Sequence, residues 1–424
     1  MIPLVQIEKI RILLYEYSNF ASLSKRVFSA RIVAIDGNSL NTRWNRENFR
    51  PIEFGTFQAN GQEGKFKMKW RQMLWALTCC VIFIAGCGGC WKYDREIQNV
   101  SYDPTRQLYK EINQSFEEYW LREKGEKIRI NQSNGGSGAQ SRSVISGSPA
   151  DVVTLALGYD IDAIHENAGL LPADWQQRLP RNSCPYTSTI VFLVRKGNPK
   201  NIHDWEDLLK DNVIIITPDP QNSGGARWNY LAAWGYMLKK ELGDWEALTD
   251  PDRAADVAAA QVKAREFVQK LFNDTKSPAK ASGARTSTHQ FVRNGEGDVL
   301  LAWENEALLY TIGGKGGGFE IVVPSISIRA EPPVTIVDKN VDKQGTRDLA
   351  EAYLNYLYEP VAQEIIAKHH YRPSDPALAA KFADKFSSLE LFTIDEVFGG
   401  WRKAQSDHFA TDGTYDRLII KAGK

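Results

Sequence analysis

The sequence is poor in the groups that enzymes use for chemistry. Its six histidines (165, 203, 289, 369, 370 and 408) show no HExxH-like or other ligand spacing, so no metal centre is expected among them. No pair of carboxylates is placed for acid/base work, and Gly135-Gly136-Ser137-Gly138-Ala139 lacks the last glycine of a nucleophile elbow. The glycine run 313–318 lacks the Gly-Lys-Ser/Thr ending of a phosphate loop and reads as a flexible connection. An excess of one charge is also missing, because 52 Lys+Arg balance 52 Asp+Glu and no basic run occurs. Nucleic acid is therefore not the expected partner. Cysteine is almost confined to one cluster, and beyond it Cys184 stands alone, so no disulfide is available in the body of the chain.

What is present begins with that cluster. Cys79, Cys80, Cys87 and Cys90 lie in and just after an apolar run, with no His or carboxylate nearby, and a zinc site needs polar, hydrogen-bonded surroundings. Met68, Lys69 and Arg71 instead open a basic region, and the apolar stretch 74–86 after it has the length of a secretory core rather than of a membrane span. It ends in Ile84-Ala85-Gly86-Cys87, which resembles the lipobox of bacterial lipoproteins and implies lipidation of Cys87. A cleaved but unlipidated signal and an uncleaved anchor are the competing readings. Residues 1–86 carry 12 Lys+Arg against 6 Asp+Glu, and the rest 40 against 46. Segment 1–67 shows no helical or strand period. The expectation is that 1–67 is a non-native upstream extension with translation starting at Met68, that 68–86 is a signal peptide, and that 87–98 is a tether.

Downstream, apolar runs (152–157, 189–194, 213–217, 298–302 and 319–323) alternate with amphipathic stretches at 108–119, 227–242, 260–271 and 346–358. That alternation predicts an α/β fold with mainly parallel strands. Three joints look alike, each expected to follow a strand: Gln132-Ser133-Asn134-Gly135-Gly136-Ser137-Gly138, Pro220-Gln221-Asn222-Ser223-Gly224-Gly225, and Ser282-Gly283-Ala284-Arg285. Gly and Ala leave the first-turn N–H groups of a helix open to a ligand. Each helix start also carries roughly half a positive charge. Three converging starts would offset most of a dianion's charge. One such loop alone is an ordinary helix cap.

The segments 100–106, 132–138, 186–199, 223–236, 297–308 and the tail Leu391-Phe392-Thr393-Ile394-Asp395-Glu396-Val397-Phe398-Gly399-Gly400-Trp401 resemble the periplasmic sulfate-binding proteins of ABC transporters. The resemblance implies a two-lobed periplasmic-binding-protein (type II) fold with hinge-linked lobes, lobe 1 from 99–188 and 326–424 and lobe 2 from 189–325. It also implies an extracytoplasmic receptor, not an enzyme, that needs no cofactor or metal and acts as a monomer with permease and ATPase subunits. Carried over to matching positions, sulfate would be held by the N–H groups of Ser137, Gly224, Gly225 and Ala284, the Ser223 hydroxyl and the indole N–H of Trp303. Asp103, Arg227 and Arg285 would polarise those donors without touching the ligand.

The chemistry of these groups agrees with the resemblance. A cage of donors suits sulfate, whereas the proton of hydrogen phosphate would be buried without an acceptor, at a cost of about 1–3 kcal/mol. From the residues alone, Trp303 also reads as a packed core indole, and Arg227 and Arg285 as solvated helix positions. Thiosulfate, similar in size and charge, is the nearest alternative ligand. A sulfate- or phosphate-ester hydrolase is the alternative from another class.

Overall fold

The computed structural model describes residues 93–273, 283–312 and 317–422. The expected extension 1–67, the expected signal 68–86 and Cys87 lie outside them. The expected tether 87–98 ends early, because Arg95 already begins a strand whose Ile97 is buried.

In chain order the described strands are β1 (Arg95–Tyr102), β2 (Ile128–Gly135), β3 (Val152–Thr154), β4 (Tyr186–Arg195), β5 (Ile215–Ile216), β6 (Val299–Trp303), β7 (Phe319–Val322), β8 (Ile326–Ala330), β9 (Val334–Ile336), β10 (Arg372–Pro373) and β11 (Glu390–Phe392). The helices that position the site and its supports are α1 (Arg106–Lys124), α2 (Ser137–Ile145), α3 (Gly158–Ala168), α4 (Gly224–Leu242), α5 (Ala254–Phe272), α6 (Ala284–Val292), α7 (Glu304–Thr311), α8 (Arg347–Tyr356) and α9 (Pro360–Lys368).

One sheet has the order β2-β1-β3-β9, with β1 parallel to β2 and β3, and β9 antiparallel to β3. Helix α1 covers it with a face of Leu108, Tyr109, Ile112, Phe116 and Trp120, and left-handed Gly125 (φ 67°) ends that helix. These side chains share a core with Tyr353, Leu354 and Ile366 of α8 and α9. The second sheet has the order β11-β8-β4-β6-β5. Its spine is β4, which is antiparallel to β10 at Tyr186 and Thr187, to β8 at Ser188 and Thr189, and to β6 from Ile190 to Val194. The expectation of mainly parallel strands thus fails in this half: strands β4 and β8 connect the two halves and run in opposite directions.

Helix α4 is the centre of the second half. From Trp228 to Leu238 every residue is buried, against Trp205, Phe267, Val268 and Leu271 among others. Between α4 and α5 the chain forms two short 3-10 turns (Glu246–Thr249 and Pro251–Arg253). The tail also departs from its expected place in lobe 1. Phe392, Ile394, Phe398, Trp401 and Tyr415 belong to the same core as α4. β11 supports this placement by lying parallel to β8 at Ile326–Ile328. The tail therefore packs with the second half: Phe392 lies over Gly235 of α4, where no side chain stands in its way, and His408 and Tyr415 pack on Tyr230.

Candidate functional site

Helices α2, α4 and α6 begin at the three glycine-rich joints. Ser223 caps α4 in extended geometry (φ −119°, ψ 120°), and its Oγ accepts the N–H of Ala226 at 3.3 Å. Gly136 caps α2 and Gly283 caps α6, both also extended. The first-turn N–H groups of each helix have no acceptor within it. The third joint differs from expectation. Among the described residues the element before it is helix α5 and not the expected strand, and residues 274–282 lie outside the described residues.

The space at the two glycines shows that these helix starts meet. A methyl at Gly224 would lie 3.0 Å from Ala156 Cβ, 3.2 Å from Leu157 Cγ and 3.3 Å from Ser137 Cβ, so the tip of α4 rests against the tip of α2. A methyl at Gly225 would lie 3.2 Å from Ala284 Cβ, at the tip of α6, and 2.6 Å from Trp303 Nε1. Ser137, Ser223, Gly224, Gly225, Ala284 and Trp303 are therefore brought to one place. The close approach calls for glycine at 225, where the indole leaves no room, while at 224 a side chain would press on its neighbours.

Trp303 ends β6 and is 2% exposed, yet its indole N–H has no hydrogen-bond partner. Its ring is held by Tyr102, with centroids 5.8 Å apart, and edge-on by Trp228 at 6.5 Å. An orphaned buried N–H aimed at a helix tip needs an acceptor to offset its desolvation.

Arg227 and Arg285 are engaged by other groups of the protein. Arg227 donates from Nε to Pro220 O at 2.9 Å and from Nη1 to Gln405 Oε1 at 2.8 Å, with its guanidinium 5.1 Å from the Phe409 ring centroid. It braces the loop carrying Ser223, and burial lowers its pKa against the opposing charge of Asp160. Arg285 reaches Glu306 at 3.4 Å, and its Nε is buried without a partner. Neither arginine is the freely solvated helix position that the residues alone suggest. Asp103 pairs with Arg106 at 3.3 Å. It is near the site because it follows Tyr102.

Sequence reasoning missed Asp160. This buried carboxylate in the first turn of α3 accepts the Ser137 hydroxyl at 2.5 Å, while Ser137 Oγ accepts the N–H of Ala156 at 2.9 Å. Burial raises the Asp160 pKa, opposed by Arg227 and then by the Ser137 hydrogen bond. The serine hydroxyl is thus committed to holding α2 in place, leaving its backbone N–H as the group at the tip. An acid in a first helical turn is too common to have pointed to this role. A cavity of about 390 Å³ opens beside the tips, lined by Arg142, Asp160, Ser223, Gly224 and Arg227 among others.

Known proteins share this chain's sequence and fold. The pattern of the bacterial extracellular solute-binding proteins matches residues 97–372. The sulfate-binding protein of Salmonella typhimurium is 57% identical over 325 residues, which cover 77% of this chain and 93% of that protein. The thiosulfate-binding protein of Pseudomonas aeruginosa is 47% identical over 331 residues, covering 78% and 94%. Among solved structures, the sulfate-binding protein SubI from Mycobacterium tuberculosis H37Rv aligns with a TM-score of 0.64 at 32% identity, over 74% of this chain and 99% of its own. With a family pattern across most of its body and close relatives along nearly their full length, the chain belongs to the bacterial extracellular solute-binding proteins.

Proposed function

We propose that this chain captures sulfate between its two lobes outside the cytoplasm and delivers it to the permease and ATPase subunits of an ABC importer. It is a receptor and not an enzyme, as its relatives are binding proteins. The observation that carries the reading is the meeting of three helix starts with the unpartnered indole N–H of Trp303. The N–H groups of Ser137, Gly224, Gly225 and Ala284, the Ser223 hydroxyl and Trp303 Nε1 would then donate to the anion. Each hydrogen bond to a charged group contributes about 1.5–3 kcal/mol net. Asp103, Arg227 and Arg285 would act behind them, by bracing and polarising the donors. A monomer is proposed as the working unit. Lobe 1 would comprise 95–188 and 329–389, and lobe 2 would comprise 189–328 and the tail from 390.

Thiosulfate is a second reading, favoured by the 47% identity to a thiosulfate-binding relative. Competition calorimetry among sulfate, thiosulfate, molybdate and phosphate tests both. Sulfate is expected to bind most tightly and phosphate at least tenfold more weakly, because its proton finds no acceptor. Phosphate binding equal to sulfate would refute the donor-only cage, and thiosulfate outcompeting sulfate would reassign the ligand. Lipidation of Cys87 is proposed from the lipobox-like sequence. Mass spectrometry of the mature N-terminus tests it, and an unmodified N-terminus upstream of Cys87 would end the idea.

A further inference from the structure

Away from the ligand donors, the tail reaches across to lobe 1 at one helix. Trp401 packs edge-on against Trp228 of α4, with ring centroids 4.6 Å apart, and the tail on either side of it packs on α4 through Phe392 and Tyr415. The other side of Trp401 covers the start of α3, where a methyl on Gly158 would lie 3.2 Å from Trp401 Cδ1. The next residue, Arg402, reaches further along α3. Its Nε is 3.3 Å from Asp162 Oδ2 and its Nη2 is 3.5 Å from Glu166 Oε1. Asp162 is held for this contact by the indole N–H of Trp175, at 3.0 Å.

We infer that Trp401 and Arg402 form a clasp that holds the lobes shut over the ligand, setting its residence time without touching it. The inference rests on the receptor reading above. Helix α3 is the shared element. Its first turn carries Asp160, which fixes Ser137 at the tip of α2, and the same helix presents Gly158, Asp162 and Glu166 to the tail. Parting the lobes would separate Arg402 from both carboxylates and uncover the Trp401 ring. Contacts made only when the lobes are closed favour the closed state by their own free energy and so slow ligand release. The arginine is 56% exposed and Glu166 43%, so the ionic half is a modest, salt-sensitive contribution.

Calorimetry and stopped-flow release of sulfate from the full chain test the clasp. Arg402→Glu is expected to weaken sulfate binding by about three- to tenfold, mainly through faster release. Adding Glu166→Arg should recover part of that loss, which a merely structural change at 402 would not allow. Gly158→Ala supplies an independent variant: its methyl wedges against Trp401, while alanine suits the helix, so ligand-free melting should hold while release accelerates. Wild-type binding with both variants unmoved, or a charge-swapped pair no better than Arg402→Glu, overturns the clasp alone. A wild-type chain that takes up no sulfate overturns the receptor reading, and the clasp's role with it.

Discussion

Trp303 and Gly225 are fitted to each other: the indole nitrogen lies 2.6 Å from the point where any side chain on residue 225 would begin. The only residue that lets the tip of α4 approach this donor is glycine. The pair also joins β6 to α4, so the strand order of the second sheet decides where the donor points.

Trp303→Phe keeps an aromatic ring but removes the N–H. Sulfate affinity measured by calorimetry should fall about 10- to 100-fold, the value of one hydrogen bond to a charged acceptor. The melting temperature should change little, because the donor has no partner within the protein. Unchanged affinity would return Trp303 to the role of core filler.

Gly225→Ala is the converse change. A methyl that must displace a buried indole should weaken sulfate binding about 5- to 150-fold, on the order of 1–3 kcal/mol of strain at the tip. Circular dichroism should still report a folded chain, since alanine favours the helix. Gly224→Asp should abolish binding by directing a carboxylate at the anion; retained affinity in either variant would place the ligand elsewhere.

The docking of the tail makes a separate stability prediction. A methyl on Gly235 would overlap the ring of Phe392. Gly235→Ala should therefore lower stability in urea by about 1–3 kcal/mol despite its better helix propensity. An equal or raised midpoint would show that the tail does not pack on α4 in solution.

His408 should make stability depend on acidity. It is buried among Tyr230, Trp234 and Phe398, and burial pushes its pKa down to about 4, from an ordinary value of about 6.5. The unfolded chain therefore binds a proton that the folded chain refuses. The contribution is complete above the unfolded value and is lost as pH falls from 6.5 toward 4, by up to about 1.4 kcal/mol per pH unit. Urea melts of His408→Gln should show a slope shallower by about one proton in that window. Parallel curves would disprove the assignment.

Much of this was readable from residue order. The alternation of apolar runs and amphipathic stretches predicted the α/β layers, and the Gly-Ser joints marked where α2 and α4 begin. Strand direction was not readable, because the run 189–194 is buried on both faces and looks the same whichever way its neighbours run. Asp160 was hidden by its ordinary position in a helix. The tail was misplaced because an aromatic stripe shows that a segment is covered but not what covers it. At the third joint the Ser-Gly-Ala-Arg sequence describes the helix ahead and not the chain behind, and the strand expected before it is not among the described residues.

The donor set at the tips has a consequence for a molecule that works outside the cell. Amide and indole hydrogens neither gain nor lose protons between about pH 4 and 10. On the proposed reading, the donors themselves would keep their charge as the surroundings turn sour or alkaline, and how full the receptor runs would be governed chiefly by how much nutrient reaches it.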